Sequence, residues 1–211
     1  MVERAIALCA TEGAQLQHYS ESAARVRLEL YRGEGASAWR VATAEWQRML
    51  RLGLGRFAAT RIEGLYWLAL AALADEGTGN RRERERRAAW AARRLRGERL
   101  PWADALARLL SAALAHLRGE RTEALALCGM AEEELRAVDM LLYAAAARRR
   151  RGEWLGGSEG EALRGEADAW MTGQGIVRPD RMAAVVAPRG RSEGPEEQSP
   201  RLRLSSAGES P

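Results

Sequence analysis

The residues able to do chemistry are few and scattered. The chain has two cysteines, Cys9 and Cys128, and two histidines, His18 and His116. Thiol catalysis needs a base beside the sulfur and a third group that orients the base. Cys128 and His116 could meet across a helical hairpin, but no orienting group accompanies them. Neither histidine has a second ligand three or four residues away, so no metal site is expected. Neither cysteine belongs to a C-x-x-C pattern. Two buried, reduced thiols in a cytoplasmic protein, with no enzyme activity and no cofactor, is the expectation.

Charge and aromatic residues come next. All 33 basic residues are Arg, against 29 acidic ones, for a net charge of +4 and a pI near 9.6. Arg81 to Arg99 holds nine Arg and three Glu, and Arg148 to Arg151 is a second basic run. An arginine-rich nucleic-acid binder is the alternative these suggest, but the acids are interspersed and the imbalance is modest. Solvated helix faces with Glu–Arg pairs one turn apart are favoured for the first run. A helix end, where cations suit the dipole, is favoured for the second. Seven Trp stand out. Most fall at packing positions, while Trp67, Trp90 and Trp102, with Arg93, are the candidates for contacting a partner protein.

These side chains must ride on helices. Apolar residues make up 46% of the chain, mostly Ala and Leu, with one Phe, a bias toward helix over strand. Trp102–Leu117 carries Leu106, Leu110, Leu114 and Leu117 on one face. After Arg118-Gly119-Glu120-Arg121 a second stretch places Ala124, Leu127, Ala131, Leu135 and Val138 on one face and runs on past Leu142 to Arg151, punctuated by Gly152, Gly156 and Gly157. Before this pair, helices are expected over Met1–Ala10, Gln15–Tyr31, Ser37–Leu52, Arg56–Asp75 (with Phe57 inward) and Arg81–Arg96. After it come Ser158 or Glu159 to Met171, and a last short helix opening at Pro179 and ending before Pro188. Met1–Ala10 starts without a cap, as a helix cut from a longer polypeptide would. Glu76–Asn80 reads as a loop. From Arg189 the apolar periodicity is lost and the composition is that of a disordered tail. The domain assignment is therefore 1–188 helical and 189–211 tail.

Mean hydropathy is −0.38. No apolar run approaches the roughly 18 residues of a membrane span, and Glu3 and Arg4 sit where a leader would be apolar.

Arg-Gly-Glu recurs at Arg32, Arg96, Arg118, Arg151 and Arg164 and in at least three places separates two helical stretches. Around Gly119 the small residues Ala112, Ala124 and Ala131 stand where paired helices approach closely. The run Gly119–Leu125 adds a Glu-Ala-Leu. This spacing resembles the tetratricopeptide repeat, a helix–turn–helix unit of roughly 34 residues. The terminal Pro of that unit is missing and the spacing between turns is irregular. The fold expected is all-α: antiparallel helix pairs in a tetratricopeptide-like, right-handed α-solenoid.

A second resemblance spans Glu98 to Pro188. Leu100-Pro101-Trp102-Ala103 precedes the central pair. Asp139 to Arg150, Gly156 to Gly160, Ala167 to Met171, Gln174-Gly175-Ile176 and Pro179 to Met182 follow in order. Together they resemble the C-terminal end of large bacterial serine/threonine protein kinases of the myxobacterial type. The chain departs at Pro188-Arg189-Gly190. The resemblance implies a regulatory module in signal transduction, docking on a partner protein or on a kinase domain in cis. The kinase itself is not implied: the chain has no Lys, no Gly-rich phosphate loop, no His-Arg-Asp and no Asp-Phe-Gly, the parts that hold phosphates and metal.

Overall fold

The computed structural model describes residues 20–21, 23–74 and 81–189, and every regular element among them is helical. Residues 23–32 form α1. α2 is Gly35–Arg51, followed by a single 3-10 turn at Leu54–Arg56 and by α3, Ala58–Ala74. Then come α4 (Arg81–Arg96), α5 (Pro101–Leu117), α6 (Arg121–Ala137), α7 (Leu141–Leu155), α8 (Gly157–Gly173) and α9 (Pro179–Val186). No helix among the described residues is long and apolar enough to cross a membrane. Met1–Ala10, Cys9, His18, the Glu76–Asn80 loop and the tail from Gly190 lie outside the described residues.

The helix ends explain these boundaries. Gly119 adopts φ 81°, its N–H bonds to His116 O at 3.0 Å, and Glu120 N–H reaches back to Ala115 O at 3.0 Å. Both bonds satisfy carbonyls that the last helical turn leaves open. Gly33 and Gly175 close α1 and α8 in the same way. Asp139 does so without a glycine: at φ 58° its N–H meets Arg136 O at 3.2 Å, and Met140 N–H meets Leu135 O at 2.9 Å. The continuous helix expected from Arg121 to Arg151 is therefore two. Asp tolerates the left-handed region better than most residues, but its presence in a helical run does not announce a stop.

Arg-Gly-Glu marks turns at Arg32, Arg96 and Arg118 and lies inside helices at Arg151 and Arg164. Gly152 therefore does not punctuate α7. It is where α7 meets α8: a Cβ there would stand 2.6 Å from Gly160 O.

From α2 onward each helix packs against the next in sequence, α3 also touches α5, and α9 folds back on α7. One continuous apolar core results. α3 and α5 are both largely buried; in α5 Leu106, Leu110, Leu114 and Leu117 are buried as their spacing predicts, and Ala112, Ala124 and Ala131 are fully buried. Phe57 is a correction. It sits between the 3-10 turn and α3, half exposed, with the Arg56 guanidinium 5.6 Å above its ring. The chain reverses at Gly53 (φ 71°), which turns Leu54 inward in its place.

Candidate peptide-binding site

The run Arg148–Arg151 does not end a helix. α7 continues to Leu155, and four successive residues at about 100° each must point all round it. Arg148 donates Nε to Glu132 Oε1 (2.7 Å) and Nη1 to Glu166 Oε2 (2.8 Å). Arg149 donates Nε to Asp168 Oδ1 (2.7 Å) and Nη1 to Glu153. Arg151 Nη1 lies 3.2 Å from Glu132 Oε2. Glu132 is buried and also receives Arg136 at 2.8 Å. The run thus ties α7 to α6 and α8 through paired charges, the condition under which burying them is tolerable.

Arg150 points inward and is completely buried. Nη1 donates to Glu153 Oε2 at 2.6 Å and Nε to the Ala187 carbonyl at 3.1 Å. Burial lowers its proton affinity; Glu153 opposes that effect. Beside it the Tyr66 hydroxyl, from α3, donates to Val186 O at 2.8 Å. Trp154 Nε1, one turn along α7, donates to Arg189 O at 3.0 Å. Three side chains from two helices thus hold three main-chain carbonyls of one segment. Val186 ends α9, and from Ala187, at φ −142°, ψ 122°, the segment leaves the helix in an extended conformation. Val185, Val186, Ala187 and Pro188 are all buried.

The walls are aromatic. Tyr143 lies 6.0 Å from Tyr66, tilted by 51°, and His116 stacks on Trp154 at 4.6 Å. Burial, with Arg121 nearby, lowers the His116 proton affinity, and burial raises those of Tyr66 and Tyr143. A cavity of about 310 Å³ continues the slot past α9, lined by Leu30, Tyr31, Leu70, Leu73, Arg181 and Ala184.

Cys128 and His116 are engaged separately. The Cys128 thiol donates to Ala147 O at 3.2 Å and is pushed up to about 12 by burial, the reverse of what a nucleophile needs. No group of three His, Cys, Asp or Glu side chains among the described residues could hold a metal ion.

Of the predicted contact residues, Trp90 and Arg93 share the exposed side of α4. Trp67 is buried, with Arg27 5.2 Å above its ring. Trp46 stands between, lining a small cavity with Trp67 and meeting Trp90 edge-on at 6.4 Å. Trp102 is half-buried at the start of α5. None of the four lines the slot. Its donors, Tyr66, Arg150 and Trp154, lie in an apolar run, in a basic run and among the Trp assigned to packing. The one available signal was Arg150, since four successive cations on a helix cannot all face water. No protein-family model, curated protein or solved structure matches the chain.

Proposed function

We propose that this chain is a non-catalytic protein-interaction module, a tetratricopeptide-like stack of antiparallel helix pairs whose inner face takes an extended peptide. The observation that supports it is the slot itself: Tyr66 takes the carbonyl of Val186 at the end of α9, and Arg150 and Trp154 take carbonyls of Ala187 and Arg189 in the non-helical segment that follows. Stacked helix pairs bury their mutual faces and leave a continuous inner surface for recognition. By its motifs the module belongs at the C-terminal end of a bacterial signalling kinase, docking a partner or the kinase domain in cis.

Selection of random peptides on the full chain tests this. Enriched peptides that bind saturably, and lose affinity on Tyr66→Phe at unchanged helicity, support it. No enrichment on the full chain or on Trp154→Phe overturns it. An immunoblot of source cells tests the kinase setting: a product far above 23 kDa is expected.

A second reading has one observation in its favour. Arg82, Arg86, Trp90 and Arg93 form an exposed stripe on α4, at spacings of one helical turn. As a nucleic-acid surface it predicts binding that weakens steeply with salt; binding that is absent or indifferent to salt removes this reading.

A further inference from the structure

The slot holds the chain's own segment imperfectly. The Nε and Nη2 groups of an arginine lie side by side on one edge of a planar fork. Elsewhere in this molecule that edge grips both oxygens of one carboxylate, Arg61 on Glu98 and Arg178 on Asp180. On Arg150 the same edge meets a single oxygen, Ala187 O, and Nη2 has no hydrogen-bond partner among the described residues. Leaving a buried donor of a charged group unmet is costly. The carboxylate that Arg150 does hold, Glu153, is shared with Arg149. The segment also brings a like charge: Arg189 adds to Arg149 in disfavouring the Arg150 cation. The Tyr66 and Trp154 bonds depend on no side chain of the segment they hold. Those two bonds need only main-chain carbonyls, at Val186 and at Arg189 in the stretch beyond α9, and so suit another chain with small or β-branched residues, while Arg150 is better matched by an acid than by Arg189.

We propose that the slot docks an extended acidic peptide of a partner protein, which places a side-chain carboxylate on the Nε/Nη2 edge of Arg150 and displaces residues 183–189. The carboxylate comes from within the peptide and not from its end, because a chain stopping at the Ala187 position would forfeit the Trp154 bond. This deepens the peptide-groove reading and rests on it.

Two labelled, end-blocked peptides test it on the full chain: Ala-Ala-Val-Val-Ala-Pro-Arg, which copies Ala183–Arg189, and the same peptide ending in Asp. The tethered segment competes at an effective concentration on the order of millimolar. Trp154→Phe, which keeps the ring against His116 and drops the N–H, therefore serves as the loosened partner. The Asp peptide is expected to bind this variant saturably and at least tenfold more tightly than the Arg peptide. On Arg150→Gln the two peptides should bind alike. In cis, Arg189→Asp should raise the Tm by a few degrees and reduce capture of the Asp peptide. Equal binding of the two peptides by Trp154→Phe overturns the acidic-peptide proposal and leaves the groove reading intact. Failure of both to bind it at about 1 mM overturns both. If Arg150→Gln does not fold, the peptide comparison and the Arg189→Asp melting curve still decide.

Discussion

The Tyr66 hydroxyl and the Val186 carbonyl meet at 2.8 Å across 120 residues of sequence. This bond fastens the end of the described chain to the middle of α3. Around it Tyr143, Arg150 and Trp154 assemble, so the slot exists only because α9 returns.

Tyr66→Phe removes one buried donor and leaves Val186 O unmet. A loss of about 1–3 kcal/mol is expected. Chemical denaturation measures it, and trypsin should cut at Arg181 or Arg189 sooner in the variant than in the parent.

Two glycines in adjoining helices should respond in opposite directions. Gly152→Ala drives a Cβ to 2.6 Å from the Gly160 carbonyl, and α7 must separate from α8 at a cost of about 1–3 kcal/mol. At Gly165, inside α8, an added Cβ would meet nothing within 4 Å. Gly165→Ala should stabilise by about 0.5–1 kcal/mol through lower unfolded-state freedom and better helix propensity. Paired urea melts with opposite signs are the expected result.

Glu153 holds two guanidiniums, Arg149 and Arg150. Glu153→Gln leaves the buried Arg150 without a counter-charge and should cost about 3–5 kcal/mol. Arg150→Met, which removes the buried charge itself, should cost less. Melting curves of the two variants, compared side by side, check the order.

The Arg61 guanidinium holds the Glu98 carboxyl below its ordinary value of 4.5, chiefly by hydrogen bonding and against the effect of burial. A depressed folded value means the unfolded chain takes up the proton first as pH falls. The stability from this pair is therefore present above pH 4.5 and lost as pH drops through the folded value. Tm recorded against pH for the parent and Glu98→Gln should differ near neutrality and converge in acid.

Cys128, with its thiol pushed up to about 12, should resist iodoacetamide at about pH 8 in the folded protein and react fully in denaturant. Peptide mapping by mass spectrometry reads this at Cys128 alone.

Much of the fold was legible because helix propensity and apolar spacing are local properties. The α5 leucine face and the close-packed Ala112, Ala124 and Ala131 could be read from spacing, and Gly119 announced its turn. Asp139 did not, since a left-handed residue without glycine leaves no mark in the sequence. Phe57 misled because hydrophobicity suggested burial, whereas the reversal at Gly53 chose Leu54. The site was barely legible. Trp90 and Arg93 ended on the outside of α4, and Trp67 under Arg27, because apolar spacing finds a buried face but not which buried face borders a groove.

The sequence by itself determined that the regular elements of the described residues would be helices, where most of them stop, and which faces must be covered, since each depends on residues within a few turns of one another. Only the tertiary structure decided that Arg148–Arg151 would be an internal ionic seam and not a solvated helix end. It also decided that Arg150 would lie beneath Ala187 with half of one edge unmet. Those outcomes depend on Glu132, Glu153, Asp168 and the returning segment after α9 arriving at α7 together. Burying a guanidinium is tolerable only where the packing of distant helices delivers its partners.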